Sequence, residues 1–420
     1  MIMKRATRNG LVSVLLFLAT SPGVLADETG TKPESAPFPH AVSVAELDKA
    51  IRLAAGYLSQ VTLPNGEFIY LANPDPRFKS PVEYHVVRHA AVMYVFSLYL
   101  QHYDDPAAAE AWAKASGFLN QCCITTVPGQ VDQLAVWSLP ELHQTDTPLE
   151  ADLGGTGLAL VGMAALEARM PGSVDIEGLR ALGRFLLSMQ DKDGRFIAKF
   201  TPGRGGPREA TYSLYYPGEA VLGLLALYEL DPSPQWLQAA IKAVVWLFEN
   251  QSVDDQPADH WTLLAAARLM AVTGGRGLPF DRDYLAKHVA RLSDALLADY
   301  QPPADPALRG AVHKKGYTTP TSTRLEGLLA SLDLLPAHEL ALRERILAFA
   351  QDGVGFLVRV QIQDGPFAGG IPAAISQQAA EGVSAKPNRR ASEVRIDYVQ
   401  HALAAMLAYR QRMPSTKKAR

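Results

Sequence analysis

Six clusters of polar, titratable side chains recur along this chain, each at the head of an apolar run. The most distinctive is EATYSLYYPGEA (209–220), which sets Glu219 close to Tyr212, Tyr215 and Tyr216, with Pro217 and Gly218 between. A carboxyl beside aromatic walls loses solvation of its charged form, so its pKa rises, which is what a general acid requires. A carboxylate capping the first helical turn is the structural alternative. Asp152, ahead of Gly154 and Gly155, has the same two readings, helix cap or catalytic acid. The remaining clusters are Tyr84, His85, Arg88 and His89; Asp259, His260 and Trp261; Ser322, Thr323, Arg324 and Glu326; and Arg395, Asp397, Tyr398, Gln400 and His401. Arg324 with Glu326 and Arg395 with Asp397 are natural ion pairs. His85 and His89 stand four apart, a spacing that can present two ligands on one helical face. The Glu of a His-Glu-x-x-His motif is missing and Arg88 stands between them, so no metal is assigned.

Two chemistries fit these residue types. Paired carboxyl groups flanking a glycosidic bond hydrolyse it, with Glu219 as proton donor and Asp152, Asp259 or Asp397 as its partner. A Tyr or His base with an Arg to neutralise developing charge instead abstracts the proton beside a uronate carboxylate, as in a polysaccharide lyase or C5-epimerase. Tyr215 or Tyr216, His85 or His260, and Arg88 or Arg324 supply that set. Tyr84, His89, Tyr212, Trp261, Glu326, Arg395 and His401 complete the substrate-binding candidates.

The elements that must position these residues are helices. Apolar residues at i, i+3, i+4 and i+7 predict helices over 84–100, 152–168, 215–230, 259–272, 322–335 and 397–410. Richness in Ala, Gly and Leu predicts burial on most sides, as in an inner ring. Between them run helices with a charged face, such as 44–58. Their ends share a phrase: GYLSQVTLPNGEFIY (56–70), RFLLSMQDKDGRFIAKF (184–200) and GFLVRVQIQDGPFAGGI (355–371) each carry an aromatic-Leu pair, a Gln, a Gly and a Phe two residues after the Gly. Gln190, Gly194 and Phe196 are spaced as Gln361, Gly365 and Phe367 are, and 117–121, 246–251 and 289–300 are weaker copies. Gly194 and Gly365 are expected to take positive φ. A unit repeated every ~50 to 70 residues indicates a repeat architecture, and strands are expected only in the Gly-containing turns.

Six hairpins of one outer and one inner helix predict an all-α (α/α)6 toroid rather than an open α-solenoid, because six inner helices close a barrel. The Gln-x-x-x-Gly-x-Phe turn resembles the QW-type motif of terpenoid-cyclase and prenyltransferase toroids. The layout over nearly the whole chain resembles six-hairpin glycosidases and toroid polysaccharide lyases. Terpenoid cyclisation is not supported, since Asp254 and Asp255 lack the flanking acids of that family's protonating motif. Opposed rings put the inner-helix starts and the Gly turns at one end, a funnel mouth. Loops 201–212, 309–323 and 376–394 carry Arg204, Arg208, Lys314, Lys315, Lys386, Arg389 and Arg390 to that end, which suggests an anionic glycan, although charged loops are also simply solvated.

Lys4, Arg5 and Arg8, an apolar run over 11–19 and small residues before Asp27 predict a signal peptide over 1–26, cleaved after Ala26, and a periplasmic or secreted protein. A linker over 27–43, one toroid domain over 44–413 and a basic tail over 414–420 follow. No later run has the ~18 apolar residues of a membrane span. A net charge of −3 gives no field for nucleic acid. Cys122 and Cys123 are the only cysteines; neighbours in sequence bridge only with strain, so two buried thiols on a helix, without redox role, are expected. The resulting expectation is an exported carbohydrate-active enzyme without cofactor, most simply a glycoside hydrolase of an acidic glycan. A uronate lyase or C5-epimerase is the second reading, and a toroid binding glycan or protein within an envelope or export system the third.

Overall fold

Small and apolar side chains on every face leave a helix no surface to give to water, and six such helices form the inner ring. The structure, a computed structural model, describes residues 41–81, 83–143, 148–202, 206–207, 213–251, 259–298, 300, 303, 305–375 and 389–414. The leader and most of the linker, Tyr212, the Asp254 and Asp255 pair, Arg204, Arg208, Lys386 and residues 415–420 lie outside them.

In chain order the helices are α1 (Val44–Gln60), α2 (Val86–Tyr99), α3 (Pro106–Cys122), the single turn α4 (Pro140–His143), α5 (Leu153–Arg169), α6 (Ile176–Ser188), α7 (Tyr216–Leu230), α8 (Pro234–Asn250), α9 (His260–Thr273), α10 (Arg282–Ala298), α11 (Thr318–Ser331), α12 (Leu340–Val360), the single turn α13 (Arg389–Ser392) and α14 (Ile396–Arg410). Each inner helix, α2, α5, α7, α9, α11 and α14, packs on the next, and α14 returns to α2 and α1, so the ring is closed. The outer helices α1, α3, α6, α8, α10 and α12 bury one face each. Their starts are locally encoded: Ser43 and Glu46 form a capping box on α1, and Asp105 caps α3 ahead of Pro106. The architecture is an (α/α)6 toroid.

The recurring turn phrase is a clamp between neighbouring outer helices. Gln190 donates from Nε2 to Ala239 O on α8 at 2.9 Å, and Gln361 donates to Ala50 O on α1 at 2.9 Å, so the last unit grips the first. Gly194 takes φ 97°, and a Cβ there would lie 2.5 Å from Lys242 O on α8. The equivalent contact at ring closure is made by Gly369 rather than by Gly365. At φ 89°, a Cβ on Gly369 would lie 1.9 Å from Leu53 O on α1, whereas Gly365, also at positive φ, has open space around it. The sequence spacing therefore aligns the wrong glycine, because the last turn inserts a short 3-10 turn over Gly365–Phe367.

Three further differences from expectation have local causes. α11 begins at Thr318, before the apolar periodicity that predicted 322, because its first turn is Thr and Pro. An antiparallel five-stranded sheet, β2 (Ile124–Val127), β3 (Gln130–Ser138), β4 (Glu150–Asp152), β5 (Lys199–Thr201) and β6 (Gly206–Pro207), runs in that order between the outer and inner helices of the second and third hairpins. Its alternation is diluted by polar residues, since β3 is exposed at Gln130–Asp132 and buried from Ala135 to Ser138. Cys122 and Cys123 are joined as a disulfide at the end of α3 rather than left as two thiols. A two-stranded ladder, β1 (Leu71–Ala72) with β7 (Val394–Arg395), adds a second tie between the first and last units and brings Tyr70 beside α14.

Candidate active site

The starts of α2, α7, α9, α11 and α14 converge on a cavity of about 770 Å³. Its wall includes His85 and Arg88 from α2; Tyr215, Tyr216 and Glu219 from the start of α7; His260 and Trp261 from α9; Arg324 from α11; and Arg395, Asp397, Gln400 and His401 from α14. Past Thr319, Pro320 and Arg395 it adjoins a second hollow lined by Tyr317, Tyr398, Glu393 and Glu83.

Two imidazoles face each other in this funnel. The rings of His260 and His401 are 5.8 Å apart between centroids and set edge to face at 71°. His401 Nδ1 lies 2.7 Å from Oε1 of the buried Glu326, while the His401 side chain keeps 14% of its surface exposed. With the imidazole donating to Glu326, Nε2 is the nitrogen left for a ligand. Burial pushes the Glu326 carboxyl up, and His401 offsets only part of that rise. His260 Nε2 is buried with no partner. Burial, then the charges of His401 and Arg324, hold its pKa well below the usual imidazole value, so it is neutral at neutral pH. Trp261 stacks behind, with centroids 5.0 Å from His260 and 6.3 Å from His401. One ligand atom each from His260, Glu326 and His401 lie within 4.8 Å of one another, the group among the described residues whose spacing could hold a metal ion.

The four carboxyl groups proposed for hydrolysis separate. Glu219 lines the funnel, and no hydrogen bond reaches its Oε2. Asp397 is held by Arg395, through Nε to Oδ1 at 2.6 Å and a second bond at 3.0 Å, and by Arg88 at 3.2 Å. Burial pushes Asp397 up, but Arg88 and Arg395 more than offset it and leave its pKa below the usual carboxylate value. Arg88 also donates to the Tyr70 hydroxyl, a funnel neighbour the residue patterns did not reveal. Asp152 is turned away from the funnel, accepting from Ser138 on β3 with Lys199 3.8 Å away, and makes no side-chain cap. Asp259 caps α9, accepting from Trp261 N at 2.8 Å and Thr262 Oγ1 at 2.7 Å. The expected ion pair of Arg395 with Asp397 forms; Glu326 is engaged by His401, and Arg324 donates to Pro320 O at 3.2 Å.

Tyr84 and His89 are not part of the funnel wall. His89 donates from Nε2 to Ala115 O on α3 at 2.9 Å and accepts at Nδ1 from Tyr84 OH at 2.7 Å, a fully buried seam between α2 and α3. The i, i+4 spacing fails because His85 is the extended residue before α2, so the two rings do not share a helical face. His85 does line the funnel. Burial, Arg88 and His143 push it down to about 3, and His143 on α4 is a neighbour that its loop sequence gave no reason to choose.

Burial pushes Asp259 up to about 7, its capping bonds notwithstanding, against about 4 in an unfolded chain. A native carboxyl that keeps its proton longer contributes stability that is complete below the unfolded value and is lost as pH rises to the folded one. The melting-temperature advantage of wild type over Asp259→Asn is therefore expected to shrink between pH 4 and 7. Thermal scans at half-unit pH steps check this, and a constant difference would contradict it.

Solved structures share this fold. A cellobiose 2-epimerase from Bacillus thermoamylovorans B4167 aligns over 88% of this chain and 99% of its own at a TM-score of 0.64 and 12% identity. A D-mannose isomerase aligns over 90% and 100% at 0.62 and 13%. An α-1,6-mannanase of Salegentibacter, an inactive double-aspartate variant in complex with α-1,6-mannotriose, aligns over 87% and 99% at 0.57 and 11%. No protein-family model and no curated protein sequence matches the chain. What these structures share with this chain is the fold, a closed (α/α)6 toroid.

Proposed function

We propose that this chain is an exported carbohydrate-active enzyme that moves a proton at the carbon next to a sugar carbonyl, an aldose 2-epimerase or aldose–ketose isomerase. The carrying observation is the facing pair His260 and His401, with His401 anchored by Glu326 at 2.7 Å. Neutral and with Nε2 unpartnered, His260 is free to accept a proton, and a substrate hydroxyl or carbonyl beside it must offset the burial that disfavours its charged form. His260 takes the C2 proton, the C2–H electron pair becomes the C1=C2 bond, and the carbonyl π pair moves onto O1. Return of a proton from His401 to the opposite face of C2, with the O1 pair re-forming the C1=O bond, gives the epimer; transfer of the O2 proton to O1, with the O2–H pair becoming the C2=O bond and the proton returning to C1, gives the ketose. Trp261, Tyr215 and Tyr216 offer apolar faces to the sugar ring. The epimerase and isomerase among the similar structures support the same class of substrate. The reading retains the His base and Arg wall of the lyase or C5-epimerase alternative and moves the reacting carbon from beside a carboxylate to beside a carbonyl.

Paired-carboxylate hydrolysis keeps one supporting observation, the funnel-lining Glu219 whose pKa burial and the neighbouring Asp259 and Asp152 raise well above the usual value. Its three candidate partners are a cap, a residue turned toward Ser138 and a carboxylate held by two arginines.

The test is incubation with D-mannose, D-glucose and cellobiose, followed by product analysis, with reducing-end release and absorbance near ~235 nm read on neutral and acidic polysaccharides in parallel. New C2 epimers or ketoses lost in His260→Ala support the proposal. Reducing ends lost in Glu219→Gln would transfer it to hydrolysis, and absorbance to a lyase. Because His260 and His401 are assigned here as base and acid rather than as ligands, exhaustive EDTA treatment is expected to leave turnover within about twofold. Loss restored by one added divalent ion would assign the triad to a metal instead.

A further inference from the structure

Glu219 has no part in the proton relay, yet its setting is built. It is 5% exposed, lines the funnel, and its Oε2 is buried without a partner. The space for that oxygen exists only because residue 154 is glycine: a Cβ there would lie 1.9 Å from Oε2 and 2.5 Å from the Tyr216 ring. That oxygen packs on α5 with no donor to hold a negative charge, which favours the protonated carboxyl on a side chain that lines the funnel.

We propose that the Glu219 carboxyl donates a hydrogen bond to the substrate oxygen on which negative charge develops during the C2 proton transfer. The proposal rests on the proton-transfer reading above and adds a residue to it. The C–H pair moves into the new C=C bond and the carbonyl π pair onto oxygen; the Glu219 O–H holds that oxygen by hydrogen bonding and keeps its own proton, so no further group changes charge. A carboxyl can donate only while protonated, and its surroundings enforce this. Burial first, then the nearby carboxyl groups of Asp259 at the start of α9 and Asp152 at the end of β4, raise its pKa well above the usual value. Of the cations near it, Lys199 pairs with Glu150 and Asp152, Arg88 and Arg395 pair with Asp397, and Arg324 on α11 donates to Pro320 O, while His260 brings no positive charge at neutral pH. A carboxylic acid kept neutral to donate a hydrogen bond is an established way of stabilising an enolate-like oxyanion.

The experiment compares Glu219→Gln, which still donates through its amide N–H, with Glu219→Leu, which cannot, both confirmed folded by circular dichroism and melting temperature. The proposal expects wild type to lose kcat at alkaline pH as Glu219 ionises, Gln to retain kcat within about threefold without that decline, and Leu to lose kcat by roughly 10²–10³, the range for one oxyanion donor. Equal loss in Gln and Leu, or no loss in Leu, overturns it. An infrared measurement on the wild-type protein at pH 7 in D₂O separates this from the parent reading. A protonated-carboxyl C=O band that disappears in Glu219→Gln and shifts on addition of D-mannitol is expected whether or not turnover is found. Absence of the band overturns the proposal even if His260-dependent epimerisation holds, and presence of the band without any epimerisation or isomerisation overturns the parent reading.

Discussion

His401→Ala is expected to lower kcat for C2 proton transfer by roughly 10³–10⁴ while leaving KM within a few-fold, since general acid–base groups contribute about 10²–10⁴ and this substitution also strands Glu326. The stranding matters because Glu326 is 2% exposed and His401 is its hydrogen-bond partner. Glu326→Gln separates the two contributions. It keeps the ring in place through a carboxamide that can accept from Nδ1, so a loss of only ~10-fold is expected, with the bulk of the effect belonging to the imidazole. His260→Ala is expected to match His401→Ala for epimerisation. Steady-state kinetics on the three proteins checks this order, and a Glu326→Gln loss as large as that of His401→Ala would mean that the carboxyl itself, and not the ring it orients, handles the proton.

The second large effect concerns closure of the ring. Gly369→Ala is expected to destabilise the fold by roughly 3 kcal/mol or more, because an L side chain in the left-handed region costs about 1–2 kcal/mol and a Cβ 1.9 Å from Leu53 O forces the last turn off α1. Gly365→Ala shares the positive φ of 73° but meets nothing, so about 1–2 kcal/mol is expected there. Denaturant unfolding of the two variants is the check. Equal losses would show that backbone conformation alone is at stake and that the Gly369 contact does not hold the first and last units together.

What could be read from the sequence divides along physical lines. Inner helices were legible because a helix buried all round must be apolar all round, and the six runs of Ala, Gly and Leu coincide with α2, α5, α7, α9, α11 and α14 to within a few residues. The gathering of their polar first turns at one end follows from ring geometry, which is why His85, Arg88, Glu219, His260, Arg324, Arg395 and His401 were candidates before any coordinates. The same logic could not say which way a first-turn side chain points. Asp152 and Asp259 sit at equivalent positions, yet one meets Ser138 from a sheet formed by distant segments and the other caps its own helix. Tyr84 and His89 were drawn away by the Ala115 carbonyl on α3, a partner 26 residues on from His89. The His401 and Glu326 pair is separated by 75 residues and is created by packing of α11 against α14, so no local pattern announces it. The disulfide at Cys122 and Cys123 defeats a rule about average geometry at the single place where the chain leaves α3 for β2.

The central claim is that a proton leaves C2 of a sugar in this funnel and exchanges with His260 and His401. The most direct measurement is proton NMR of D-mannose, D-glucose and cellobiose incubated with the protein in D₂O. Loss of the C2 proton signal from recovered substrate and product by wild type, and its persistence with His401→Ala and His260→Ala, is the predicted result. Turnover with the C2 hydrogen fully retained, or cleavage to new reducing ends without exchange, would contradict the account.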